Sequence, residues 1–126
     1  MMRKRGFDPV VDEHIRLLVL GSLPGDVSLA QNQYYGHRQN RFWQLMSEII
    51  SVDLPSLDYP ARLESLLKNG VGLWDVIAEA QRDGSLDTNI REQANNDLVG
   101  LLSELPHLTT IAFNGGTAGR LGLKVL

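Results

Sequence analysis

The chain has 126 residues, 43% hydrophobic and 21% charged, with a formal net charge of −3, which suits one globular domain with a single core. It has no cysteine, so disulfides, iron–sulfur clusters and thiolate zinc sites are excluded. Mild acidity counts against a broad electrostatic grip on nucleic acid, though Arg38, Arg41, Arg82, Arg91 and Arg120 leave room for a local one. No apolar run approaches the roughly 20 residues that cross a bilayer, and no signal-type stretch follows Met1-Met2-Arg3-Lys4-Arg5, so a cytoplasmic location is expected.

Residues 1–14 are polar and charged, and are expected to be poorly ordered or packed at an edge. The unbroken apolar run Ile15–Leu20, closed by glycine, predicts a strand buried on both faces. A Gly21-Ser22-Leu23-Pro24-Gly25 turn and a polar loop follow. From about Gln39 to Ile50, the spacing of Phe42, Leu45, Met46 and Ile49 predicts a helix. A second helix opens at Pro60 with the stripe Leu63, Leu66, Leu67 and stops at Gly70. Val71–Val76 reads as a second strand, Ile77–Arg82 as a short helix or turn, and Asp83-Gly84-Ser85 as a turn. Asn96–Leu105 predicts a third amphipathic helix ending before Pro106, and Thr109–Phe113 a third strand ending in Asn114-Gly115-Gly116. This order implies a single domain over 1–126, a three-layer α/β/α arrangement around a mostly parallel sheet. Such sheets normally continue beyond this point, so the C-terminal part of the fold is expected to be missing.

Ligands of open α/β sheets bind at the carboxyl edge, so the segments after the strands are the place to look for chemistry. The Gly21–Gly25 turn matches neither the P-loop nor the dinucleotide fingerprint, and by glycine spacing alone an ordinary turn is favoured over an anion cradle. Tyr34-Tyr35-Gly36-His37 lies in a polar loop, where aromatics either anchor the loop or offer a face on which a flat base stacks. His37 is a candidate general acid or phosphate ligand, although a lone histidine is more often structural; the three scattered histidines do not suggest a metal site. Asn40 suits the N-cap of the following helix, or, through its side-chain carbonyl, the orientation of a water. Local pattern favours the cap. Trp74-Asp75 and the polar run Gly84–Asn89 could form turns or read the edge of a heterocycle, and Asn114 before its two glycines has the same two readings.

Three blocks together carry a resemblance: GSLPG with YYGHRQNRFW (21–25 and 34–43), GLWDVIAEAQRDGSLDTNI (72–90) and IAFNGGTA (111–118). In order and spacing they resemble the uracil-DNA glycosylase superfamily, and within it the hypoxanthine-DNA glycosylase (deoxyinosine glycosylase) branch, over about Phe7 to Ala118. The resemblance implies an enzyme that flips a deaminated base, hypoxanthine or uracil, out of duplex DNA and hydrolyses its N-glycosidic bond. Some branches activate the water with a polar residue in the first glycine turn, where this chain has Leu23. The resemblance instead implies Asn40 as the catalytic residue. It places Gly21, Ser22, Leu23, Tyr35, Trp74, Asp75 and Asn89 in the base pocket, and His37, Arg41 and Asn114 at the DNA. The family's Ser- and Pro-rich DNA-gripping loop is not found before Leu126.

The residues fit that chemistry. Base departure largely precedes water attack in an oxocarbenium-like path, so an amide that positions water suffices. Lys4, Lys68 and Lys124 lie outside the motif blocks, which implies a monofunctional enzyme that leaves an abasic site. No cofactor is implied, the expected partner is duplex DNA with a deaminated base, and a monomer is expected. A catalytically inactive DNA binder and a small-ligand or nucleotide-binding α/β protein are the competing readings.

Overall fold

The computed structural model describes residues 3–126. A short strand, Lys4–Arg5 (β1), precedes the apolar strand Leu17–Gly21 (β2). Helices Asp26–Gln31 (α1), Phe42–Ile50 (α2) and Tyr59–Lys68 (α3) follow. Then come strands Val71–Asp75 (β3), Ile77–Gln81 (β4) and Arg91–Asn95 (β5), helix Leu98–Leu102 (α4), strand Thr110–Phe113 (β6) and helix Gly116–Val125 (α5).

The strands β3, β2 and β6 lie side by side and parallel, with β2 in the middle. A strand covered on both faces must be apolar throughout, and β2 is. Its alternation sorts the two layers of helices. Leu18 and Leu20 pack with Leu98 of α4 and with Ala118 and Leu121 of α5. Val19 packs on the other face with Phe42, Trp43 and Met46 of α2 and Leu66 of α3. Burying each leucine of this set stabilises the fold by about 1.5–3 kcal/mol before entropy is counted. The result is the expected α/β/α arrangement, and the three expected strands appear at β2, β3 and β6. The helices expected near Gln39–Ile50, Pro60–Gly70 and Asn96–Leu105 appear as α2, α3 and a shorter α4. Asp58 caps α3 by accepting from the Ala61 N–H, and Asp97 caps α4 by accepting from that of Gly100.

The expected helix or turn over Ile77–Arg82 is instead strand β4. It pairs antiparallel with both β1 and β5, making a second three-stranded sheet. Ala78, Glu79 and Ala80 are good helix formers. Burial of Ile77 and Ala80 and two-sided backbone pairing outweigh that propensity, and the register shifts along the β4–β5 pair show an irregular ladder. The polar loop after Gly25 also contains α1, which lacks an apolar stripe. The leading segment runs along both sheets: the Gly6 N–H donates to the Ala78 carbonyl, and Val10 bridges Leu73 antiparallel. Among the described residues, no helix is long and apolar enough to cross a membrane.

Candidate active site

The carboxyl ends of the three parallel strands open onto one cleft of about 410 Å³. β2 contributes Gly21 and the turn Ser22 to Gly25, β3 contributes Asp75, and Asn114 follows β6. The loop between α1 and α2 closes the side with Tyr34, Tyr35, His37 and Asn40. Eight expected site residues therefore meet here: Gly21, Ser22, Leu23, Tyr35, His37, Asn40, Asp75 and Asn114. The other three do not line the cleft. Trp74, next to Asp75 on β3, points to the opposite side of the sheet by strand alternation; its indole N–H donates to the Phe7 carbonyl. Asn89 sits in a 3-10 turn and donates to the Asp83 carbonyl. Arg41 is exposed at the start of α2.

Gly21 allows the floor of the cleft to close. A Cβ there would meet Asp75 Oδ1 at 2.6 Å and the Tyr35 hydroxyl at 3.3 Å. The Asp75 side chain is buried, and its Oδ2 has no hydrogen-bond partner among the described residues. Burial, reinforced by the negative charge of Asp87 and opposed by Arg82, pushes its carboxyl up to about 7. The Tyr35 hydroxyl is likewise buried without a completed hydrogen bond, although the Asn114 side chain stands near it. Burial raises its pKa well above the ordinary tyrosine value. Two adjacent polar groups without protein partners are what a ligand entering the cleft would pair with.

The aromatic wall is built from α2. Tyr35 lies on Phe42, with ring centroids 3.7 Å apart and planes 14° apart. Trp43 meets it edge-on and donates its indole N–H to the Tyr35 carbonyl. These contacts hold Tyr35 at φ 54°, a left-handed conformation that costs a non-glycine residue on the order of 1 kcal/mol. Tyr34 is an anchor: it is buried and donates its hydroxyl to the Asp8 carbonyl. A tight turn joins the wall to Asn40, whose N–H donates to the His37 carbonyl, while His37 Nδ1 accepts from the Gln39 N–H. Asn40 Oδ1 accepts from the Phe42 N–H at 2.9 Å, so the capping role is real. That bond uses one lone pair of the carbonyl oxygen and fixes the plane of an otherwise exposed amide at the cleft.

The facing wall is a polar staple that the sequence did not reveal. Arg82, weighed above as a surface cation for DNA, is 2% exposed. Its guanidinium donates to the Leu23, Pro24 and Gly84 carbonyls and lies 3.6 Å from Asp87. Asp87 in turn accepts from the Ser22 hydroxyl at 2.8 Å. The Gly21–Gly25 turn is thereby tied to the β4–β5 connection, and Ser22 is held by Asp87. Ser85 adds a hydroxyl that accepts from the Asp26 N–H at the rim. Only the tertiary fold brings Arg82 beside the glycine turn, so no local pattern announces it.

The profile of the Uracil DNA glycosylase superfamily matches residues 9–125. The chain belongs to this superfamily. Two curated relatives share its sequence over 118 residues, covering 94% of this chain and 75% of each relative. They are the "Hypoxanthine DNA glycosylase" of Methanosarcina barkeri at 48% identity and that of Methanosarcina acetivorans at 44%. A solution NMR structure of a putative uracil DNA glycosylase from Methanosarcina acetivorans superposes with a TM-score of 0.89 at 42% identity, covering 98% of this chain and 77% of that one. For a member of this superfamily, the convergence of three strand ends on an aromatic, amide-lined cleft is what extracting and cleaving a nucleotide requires.

Proposed function

We propose that the chain is a DNA glycosylase that removes hypoxanthine from duplex DNA and leaves an abasic site, with Asn40 positioning the water. The observation that carries this reading is the placement of Asn40. Its amide is held rigid by the Phe42 N–H at the mouth of a cleft whose floor carries the unpartnered Asp75 and Tyr35 groups. A base extruded into the cleft would stack on Tyr35, whose other face is already covered by Phe42. Its polar edge would meet Asp75 and Asn114. The backbone of the Gly21–Gly25 turn stands beside the departing base and can stabilise its developing negative charge.

With the base leaving early, the water needs orientation more than deprotonation, which the second lone pair of the Asn40 carbonyl supplies. Among the described residues no lysine lines the cleft: Lys4 is bound to Asp26 and Gly84, and Lys68 pairs with Glu64. That supports hydrolysis without a covalent imine and without strand cutting. His37, which lines the cleft, and Arg41, next to Asn40, are both exposed and would contact phosphates. The names of the two relatives support hypoxanthine over uracil. The fuller form of the proposal is a monomer acting in the cytoplasm on duplex DNA with a deaminated base.

The test is a single-turnover reaction on labelled duplexes carrying one hypoxanthine, one uracil or none. Release of free hypoxanthine, with strand breaks only after alkali, is expected. Breaks before alkali would contradict the monofunctional reading. Faster release of uracil than hypoxanthine would reverse the proposed preference.

A further inference from the structure

We propose that Asp75 reads the lactam edge of the extruded base as a neutral acid, its O–H donating to the ring carbonyl and its C=O accepting from the adjacent ring N–H. The inference rests on the glycosylase reading above and names the chemistry by which that site recognises its base.

The geometry comes first. Asp75 ends β3 on the cleft side of the sheet, 4% exposed, and its Oδ2 has no partner among the described residues. Its backbone carbonyl accepts from the Asn96 side-chain amide. A carboxyl buried for structural reasons collects N–H donors or a contacting cation. This one is left free on the floor of a cleft.

The charged groups around it explain the form it takes. Arg82 and Asp87 approach from the β4–β5 connection, and Tyr34 and Tyr35 from the loop before α2. Asp26 and His37 also line the cleft. Arg82, bonded to three carbonyls and paired with Asp87, works against the Asp75 proton, but burial and the Asp87 charge outweigh it. Burial favours the protonated form up to about neutral pH.

The match to the ligand is one of donors and acceptors. Hypoxanthine presents N1–H beside O6, a donor next to an acceptor. A carboxylic acid presents the complementary pair on one rigid plane. A carboxylate has acceptors only, so one oxygen would oppose O6, and its charge would repel the departing anionic base. Uracil carries the same lactam pair and fits the same reader. Adenine can pair with the acid in the reversed sense, so rejection of normal A·T pairs falls to the greater cost of extruding a well-paired base.

The experiment is the pH profile of single-turnover release from a hypoxanthine duplex at saturating enzyme, from pH 5.5 to 9, for the wild type, Asp75→Asn and Asp75→Leu. The wild-type rate is expected to be level in acid and to fall about tenfold per pH unit above about pH 7. Asp75→Asn keeps a donor beside an acceptor but cannot ionise. It should be several-fold slower than wild type at pH 6, flat with pH, and faster than wild type at pH 9. Asp75→Leu should lose more than about a hundredfold at every pH while still binding a duplex with an abasic-site analogue. A level wild-type profile to pH 9, a wild-type slope retained in Asp75→Asn, or full activity in Asp75→Leu would each overturn the proposal. Should Asp75→Asn fail to fold by circular dichroism, the wild-type slope decides. Absence of product from wild type at every pH would overturn the glycosylase reading and this proposal with it; the other failures all require product.

Discussion

The two walls of the cleft are held by different physics. One is the aromatic wall of Tyr35, Phe42 and Trp43, fixed by ring packing on α2 and by a single indole hydrogen bond. The other is the turn Gly21–Gly25, fixed by the buried Arg82 guanidinium and the Ser22–Asp87 hydrogen bond. Packing is non-directional and tolerates small repacking. A guanidinium bonded to three carbonyls is far less tolerant, because its loss leaves the buried Leu23 and Pro24 acceptors bare. The comparison teaches that the aromatic wall can adapt to different flat bases, whereas the polar wall sets a fixed frame for the backbone groups beside the leaving base.

The strongest way to break that contrast is at Arg82. Arg82→Met is expected to lower unfolding stability by about 3 kcal/mol in urea denaturation, since the buried Leu23 and Pro24 carbonyls lose their donor and Asp87 its ion-pair partner. A loss below about 1 kcal/mol would mean the staple does not frame the turn. Next is Asp75, whose folded-state carboxyl sits at about 7 against 3.8 for a free one. The folded protein therefore retains a proton that the unfolded chain has released between those values, and wild-type stability falls as pH rises through that window. Asp75→Asn should lack this component, so its melting temperature relative to wild type should climb from pH 4 to pH 7 and level off above. A constant difference would place the Asp75 carboxyl in the ordinary range.

Smaller effects are expected on the aromatic side. Phe42→Leu removes the stack beneath Tyr35 and should cost about 1–1.5 kcal/mol, with a weakened apparent affinity for damaged duplex rather than a lost chemical step. A collapse of the chemical rate instead would show that Phe42 also fixes the catalytic amide. Tyr35→Phe removes an unpartnered buried hydroxyl and is expected to raise the melting temperature slightly, by the equivalent of about 1 kcal/mol or less. A clear fall would reveal a hydrogen bond to Asn114.

The contrast between the walls also explains what was legible in the sequence. The parallel strands announced themselves because a strand buried on both faces has to be apolar, as Leu17–Leu20 is. The helix at Phe42 did so by its apolar spacing, and Asn40, Tyr35 and the glycine turn came with it through the family resemblance. β5 was invisible: all five residues, Arg91 to Asn95, are exposed, so no periodicity marks them. β4 reads as a helix because its alanines and glutamate favour one locally, while the pairing that makes it a strand is non-local. Arg82 and Asp87 escaped for the same reason, since only tertiary structure places them beside Ser22. Trp74 and Asp75 are neighbours in the sequence, but strand alternation sends them to opposite faces of the sheet, so only one faces the cleft.

The most direct test of the central claim is the single-turnover rate of hypoxanthine release by Asn40→Ala beside the wild type, with the fold of both checked by thermal melting. Loss of the cap to Phe42 should cost about 1 kcal/mol of stability. The account predicts that a folded Asn40→Ala loses at least about a hundredfold in rate while still binding the damaged duplex. A folded variant that releases the base at the wild-type rate would contradict it, and would reduce Asn40 to a helix cap.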